Sequence, residues 1–154
     1  MTSSKILVTG CAGFIGSSLV DRLLSDGSEV VGVDNFNDYY DPKIKEHNLE
    51  SALKSNHFNL YRIDILDAEN IKKIVGKEKP KYVVHLAARA GVRPSIADPN
   101  LYSEVNCLGT LNMLEASVKN KVSKFIFASS SSVYGNTPSV PFTEEDICAN
   151  IISP

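Results

Sequence analysis

The chain has 154 residues, 43% of them hydrophobic and 22% charged, and 16 basic against 18 acidic residues leave a net charge of -2. That is the length and balance of one soluble domain with its own core, and it offers no polycationic surface for a nucleic-acid backbone. No apolar run approaches the ~20 residues that span a bilayer, and the first residues lack the zones of a signal peptide, so no membrane partner and a cytoplasmic location are expected.

In chain order, Lys5 to Thr9 is a short apolar run that ends at a glycine cluster. From Phe14 onward Ile15, Leu19 and Leu23 recur at helical spacing, which predicts strand, tight turn, helix. Glu29 to Val33 is a second β-branched run ending at Asp34, and the polar stretch from Asn35 leads to a helix predicted over Pro42 to Lys54, with proline in its first turn. His57 to Ile63 predicts a third strand, Ala68 to Val75 a short helix, and Tyr82 to Leu86 a fourth strand. A loop holding Pro94 and Pro99 follows. A single helix is predicted from Pro99 to Asn120, with Leu101, Val105, Leu108, Leu111 and Val118 on one side, before a fifth strand over Lys124 to Ala128. Strands alternating with helices predict an α/β fold, a doubly wound parallel sheet with right-handed crossovers, and no second complete domain. Cys11, Cys107 and Cys148 form no CxxC pair, and His47, His57 and His85 share no ligand spacing, so neither a disulfide framework nor a metal site is expected.

Gly10, Gly13 and Gly16 are spaced GxxGxxG between the first strand and the first helix. Glycine suits a turn with unusual dihedrals, and it lets a pyrophosphate approach the free N–H groups and the positive dipole end of a helix. Asp34 ends the second strand 18 residues after Gly16, where a carboxylate accepts hydrogen bonds from the hydroxyls of an adenosine ribose. A 2′-phosphate would be repelled there and finds no arginine nearby, so NAD is expected over NADP. Asp64, at the end of the third strand, is placed equally well to meet an adenine edge or to serve as an ordinary turn aspartate.

The GxxGxxG spacing, His85-Leu86-Ala87-Ala88, Asn106, and Ser129 to Gly135 (SSSSVYG) together resemble the extended short-chain dehydrogenases of the NAD-dependent epimerase/dehydratase family, which act on nucleotide sugars. Two segments, Asp34 to Pro42 (DNFNDYYDP) and Ala88 to Ser95 (ARAGVRPS), are similar to those of UDP-glucuronate 4-epimerases; UDP-glucose 4-epimerases and other relatives stay open, as does a non-catalytic NAD-binding module. The resemblance implies a Rossmann-type sheet ordered 3-2-1-4-5 that is incomplete at its C-terminus. It also implies that Gly10, Gly13, Phe14, Ile15 and Gly16 hold the NAD phosphates, Asp34 with Asn35 the ribose, and Asp64 with Ile65 the adenine. Leu86, Ala87, Ala88, Arg89 and Ser129 would line the dinucleotide's path, with Asn106 behind it.

By the same resemblance Ser130, four residues before Tyr134, assists catalysis, and Ser131 and Arg93 are candidates near a UDP-sugar substrate. Dehydratases of the family carry an Asp-Glu pair where this chain has Ser131 and Ser132. Without an acid to expel water, oxidation and re-reduction at the sugar C4 is the expected chemistry. The family's catalytic Tyr-x-x-x-Lys usually begins directly after a Ser-Pro such as Ser153-Pro154, so residues 1–154 are expected to be a dinucleotide-binding domain truncated before that motif. The sugar-binding region is expected to be absent as well. The isolated chain is then expected to be inactive, to bind NAD weakly and to aggregate; a homodimer is expected only of the complete protein.

Overall fold

The computed structural model describes residues 4–138, 140–146 and 148. Five strands, β1 (Lys5–Thr9), β2 (Glu29–Asp34), β3 (Phe58–Arg62), β4 (Tyr82–His85) and β5 (Lys124–Phe127), form one sheet in the order β3-β2-β1-β4-β5. All four pairings are parallel, and Leu7 lies beside Val31 on one side and Val83 on the other. Parallel strands demand crossovers, and the intervening helices cover both faces of the sheet. Alternation along the strands then divides the core in two. Leu7, Val31 and Val83 pack with Ile71, Ile74, Val75, Met113 and Ala116 on one face, while Ile6, Val8 and Val30 pack with Val20, Leu49, Ala52 and Phe58 on the other. The outermost strand, β5, leaves Ile126 and Phe127 about half exposed.

Helix α1 (Phe14–Ser25) follows the glycine turn, and α3 (Ala68–Glu78) runs three residues past its predicted end. Its last turn is held by Glu78, which accepts hydrogen bonds from Lys5 Nζ (3.0 Å) and Tyr61 Oη (2.6 Å), and Lys79 ends it in the left-handed region. The predicted helix over Pro42 to Lys54 divides into α2 (Pro42–Asn48) and a 3-10 turn (Ala52–Lys54). The break lets both Leu49 and Ala52 turn into the core beneath Phe58. The proline loop contains a short helix, α4 (Val92–Ala97), which begins at Gly91 with φ +100° and is tightened by a Ser95 Oγ to Val92 O bond of 2.6 Å.

The single helix expected from Pro99 to Asn120 is also interrupted. Helix α5 (Pro99–Ser103) passes into one π-helical turn (Glu104–Gly109) before α6 (Thr110–Lys119). A wide turn holds one more residue than an α turn and rotates the residues after it by roughly 100°. The stripe read through it therefore does not hold: Asn112, Met113, Ala116 and Ser117 are buried, while Leu108, Leu111 and Val118 face outward. Gly109 is pressed against the sheet side of this turn, where a Cβ would stand 2.5 Å from Ile65 Cδ1.

Candidate functional site

At the carboxyl ends of β1, β2 and β4 the chain forms a cleft with about 650 Å³ of open space, lined among others by Gly10, Gly13, Asp34, Asn35, Asp64 and Ile65. In an open parallel sheet this is the edge where ligands bind, beside the point at which strand order reverses. Gly10 has φ +67°, and a Cβ there would stand 2.9 Å from the backbone nitrogen of Ala87. At Gly16 a Cβ would run into Gly10 O, so this glycine serves the close packing of helix on turn. Gly13 is different: a Cβ would abut Gly10 O and the Tyr40 hydroxyl at the edge of the cleft. No side chain caps the N-terminus of α1 and no acidic residue occupies its first turn, which keeps that positive end available to an anion. The turn and the helix start therefore fit a dinucleotide's pyrophosphate.

Asp34 and Lys45 form the floor. Their side chains are each 6% exposed and 3.2 Å apart, Asp34 Oδ1 accepting from Lys45 Nζ. Oδ1 also accepts from Phe36 N (2.9 Å), and Oδ2 accepts from Ala12 N (3.1 Å), which ties the acid to the glycine turn. Lys45 Nζ donates in addition to Asn37 Oδ1 (3.2 Å) and lies 5.3 Å from the centre of the Tyr40 ring. Burial and the Asp34 charge together push the Tyr40 hydroxyl above its ordinary pKa. Asp64 is a turn aspartate whose Oδ1 accepts from Leu66 N, and its Oδ2 accepts from Asn35 Nδ2 at 2.6 Å in the cleft lining. Lys45, Asn37, Tyr39 and Tyr40 all line the cleft and were not singled out from sequence. Their signal was the polar run after Asp34, which carries no periodicity that would say which side chains turn inward.

The fourth wall is Leu86 to Arg89, fixed from behind by a chain of neutral hydrogen bonds. Thr9 Oγ1 accepts from both Leu86 N and Ala87 N (3.1 Å each), so its own proton goes to His85 Nδ1 at 2.8 Å. Thr110 donates to Asn106 O at 2.7 Å, so it accepts from His85 Nε2 at 3.0 Å. Donor counting thus makes His85 neutral, with its proton on Nε2. Burial agrees, lowering its pKa to about 4. The π turn then presents Asn106 to Arg89, accepting from Arg89 N (2.8 Å) and donating to Arg89 O (3.0 Å). Asn106 sits behind the cleft wall and holds it.

Arg89 lines the cleft with its guanidinium 5.7 Å from the centre of the Tyr39 ring, and its Nε is buried without a partner. Tyr39 Oη and Tyr102 Oη both donate to Ala90 O, at 2.7 and 2.6 Å. Tyr39 and Lys43 happen to have Tyr-x-x-x-Lys spacing, but Tyr39 precedes α2, with Pro42 between them, and its hydroxyl is committed to Ala90. Phe14 and Ile15 are exposed beside the turn and, like Arg93, Ser129, Ser130 and Ser131, are not part of the cleft lining. The serines follow β5 and Ala128, whose N bonds to His85 O, and so lie at the same edge of the sheet. Ser130 Oγ accepts from Ser132 N (3.1 Å), which leaves the hydroxyl proton to be donated outward. The Ser153-Pro154 terminus lies outside the described residues.

Comparison with known proteins finds relatives over nearly the whole chain. A family model described as GDP-mannose 4,6 dehydratase matches residues 7–152. The chain is 46% identical to a UDP-glucuronate 4-epimerase of Thermodesulfobacterium geofontis over 90% of its own length and 43% of that protein's. It is 45% identical to Protein CapI of Staphylococcus aureus, over 92% and 42% of the two chains. The crystal structure of UDP-glucuronic acid 4-epimerase from Bacillus cereus, in complex with UDP-glucuronic acid and NAD, superposes with a TM-score of 0.84 at 39% identity, covering 93% of this chain and 45% of that one. The chain thus spans less than half the length of these relatives.

Proposed function

Since the chain belongs to the NAD-dependent epimerase/dehydratase family, we propose that its 154 residues are the NAD-binding half of a UDP-sugar 4-epimerase whose substrate is UDP-glucuronate. The observation that carries this is the cleft itself: an uncapped helix start at Gly13, and beside it an acid, Asp34, with acceptor capacity left on Oδ2. In this reading Gly10, Gly13, Phe14, Ile15 and Gly16 form the phosphate turn, Asp34 and Asn35 meet the ribose, and Asp64 and Ile65 meet the adenine. Leu86 to Arg89 form the wall that Asn106 supports, and Ser129 continues it. NAD, when bound, would supply the hydride acceptor and donor for oxidation and re-reduction at the sugar C4.

Ser130, its Oγ lone pair engaged by Ser132 N, donates to the oxygen on C4. Ser131 and Arg93 lie on the substrate side. Ser131 and Ser132 supply no carboxylic acid, which favours epimerisation over the dehydration for which the family model is described. The catalytic base and the sugar-binding region come from chain other than these residues. Among the described residues no helix is long and apolar enough to cross a membrane; a cytoplasmic enzyme is the simplest reading. Leu108, Leu111 and Val118 give the π turn and α6 an outward apolar stripe on which the complete protein pairs as a homodimer.

The test is made on the complete protein. Acid denaturation should release NAD, and the native enzyme should interconvert UDP-glucuronate and UDP-galacturonate. Turnover of UDP-glucose alone would move the substrate assignment while keeping the chemistry. Absence of both bound dinucleotide and epimerisation would overturn the reading. The 154-residue chain alone is expected to bind NADH weakly and to epimerise nothing.

A further inference from the structure

The cleft floor contains a cation that the polar run after Asp34 did not reveal. Lys45 reaches from α2 to within 3.2 Å of Asp34 Oδ1, and the pair is sealed from solvent on the protein side while both residues line the cleft. An ammonium has three protons. Two are spent, on Asp34 Oδ1 and Asn37 Oδ1. Asp34 spends Oδ1 on Phe36 N and Lys45, but accepts only one hydrogen bond, from Ala12 N, at Oδ2. The floor therefore offers one acceptor and one donor side by side. Its net charge is zero, where an isolated acid would give -1.

We propose that Lys45 is a specificity-determining residue: together with Asp34 it sets whether the cleft takes a dinucleotide with a 2′-hydroxyl or with a 2′-phosphate. This rests on the reading of the cleft as a dinucleotide site. A ribose hydroxyl donates to Asp34 Oδ2 and accepts the third Lys45 proton, satisfying both groups. A 2′-phosphate can only accept, so it would be repelled by Asp34 and attracted by Lys45, whose ammonium lies 3.2 Å from that acid. Repulsion by Asp34 alone, the basis for expecting NAD over NADP, is thus one part of the balance. A second part is the Lys45 cation bonded to that acid, and Arg89, which sequence spacing did not bring near Asp34, lines the same cleft.

The balance can be tipped either way without changing the shape of the floor. NADH and NADPH are titrated against the complete protein, freed of resident dinucleotide, and its Asp34→Asn, Lys45→Gln and double variants, with dinucleotide fluorescence as the readout and circular dichroism as the check on folding. Asp34→Asn leaves the cation uncompensated and should lower the ratio of NADPH to NADH dissociation constants by at least about tenfold. Lys45→Gln should raise that ratio by a similar factor, and the double variant should return it close to the wild-type value. If either folded single variant leaves the ratio unchanged, or if the double variant keeps the Asp34→Asn preference, Lys45 is not a determinant. A wild-type protein that binds neither dinucleotide overturns the site assignment itself, a different result from NADH binding with an unmoved ratio.

Discussion

Two polar clusters lie side by side at the carboxyl ends of the central strands, and they are built on opposite principles. Asp34, Lys45 and Asn37 form a charged cluster with hydrogen-bonding capacity left over, open to the cleft. Thr9, His85, Thr110 and Asn106 form a neutral one in which both ring nitrogens and both threonine hydroxyls are engaged with other protein groups. A buried ion pair is weak evidence for stability, because desolvation of two charges offsets their attraction. A neutral network with every group bonded rigidifies the chain at little such cost. The first cluster is therefore suited to meeting a ligand and the second to fixing the backbone that the ligand touches.

The largest effect that could break this division is expected at His85. Replacing it with alanine removes a fully buried ring packed against Phe125 and Phe127 and strips partners from Thr9 and Thr110. A loss of about 3 to 5 kcal/mol in urea unfolding is expected, from a cavity plus unsatisfied hydroxyls. A loss below about 1 kcal/mol would show that the network is incidental.

The same residue sets a pH dependence. Its pKa is lowered to about 4 in the folded chain, against the ordinary 6.5, so the unfolded chain binds the proton more tightly. Stability from neutral His85 is complete above pH 6.5 and is lost as pH falls toward 4, by up to roughly 3 kcal/mol. Protonation would also place an N–H against Thr9 Oγ1, whose lone pairs already serve Leu86 and Ala87. Urea midpoints should fall between pH 6.5 and 4.5 in wild type and flatten in a folded His85→Gln variant. Equal slopes in the two would assign the acid sensitivity elsewhere.

The two clusters also differ in how far sequence could reveal them. Parallel pairing and the residues of the glycine turn were legible, because β-branched runs separated by helical spacing leave few topologies and GxxGxxG has a local cause, whereas the strand order came with the family resemblance. Asp34 was legible for the same reason: it ends a strand a fixed distance beyond the turn. Lys45 was not, since its role depends on α2 folding back over the end of β2, and a lysine in a predicted helix ordinarily points to water. The π turn was invisible too. Its cause is tertiary: Gly109 pressed against Ile65 and Asn106 bonded to Arg89 across 17 residues. Reading through it as regular helix put Leu108, Leu111 and Val118 on the same side as Val105, which packs against the core.

A smaller change tests whether the neutral cluster reaches the cleft at all. Thr110→Val keeps nearly the same shape but removes the acceptor for His85 Nε2 and the donor to Asn106 O. Leaving one buried N–H without a partner should cost about 1 to 2 kcal/mol. If the cluster exists to hold the cleft wall, the loss cannot stop there. Asn106, released on its carbonyl side, should hold the Arg89 backbone less firmly, and NADH affinity should fall severalfold with no change in the preference between NADH and NADPH. Stability falling with affinity untouched would confine the neutral cluster to the fold. A shift in dinucleotide preference would mean that the two clusters are not separate devices, because the charged floor would then be sensing the position of a helix turn on the far side of β4.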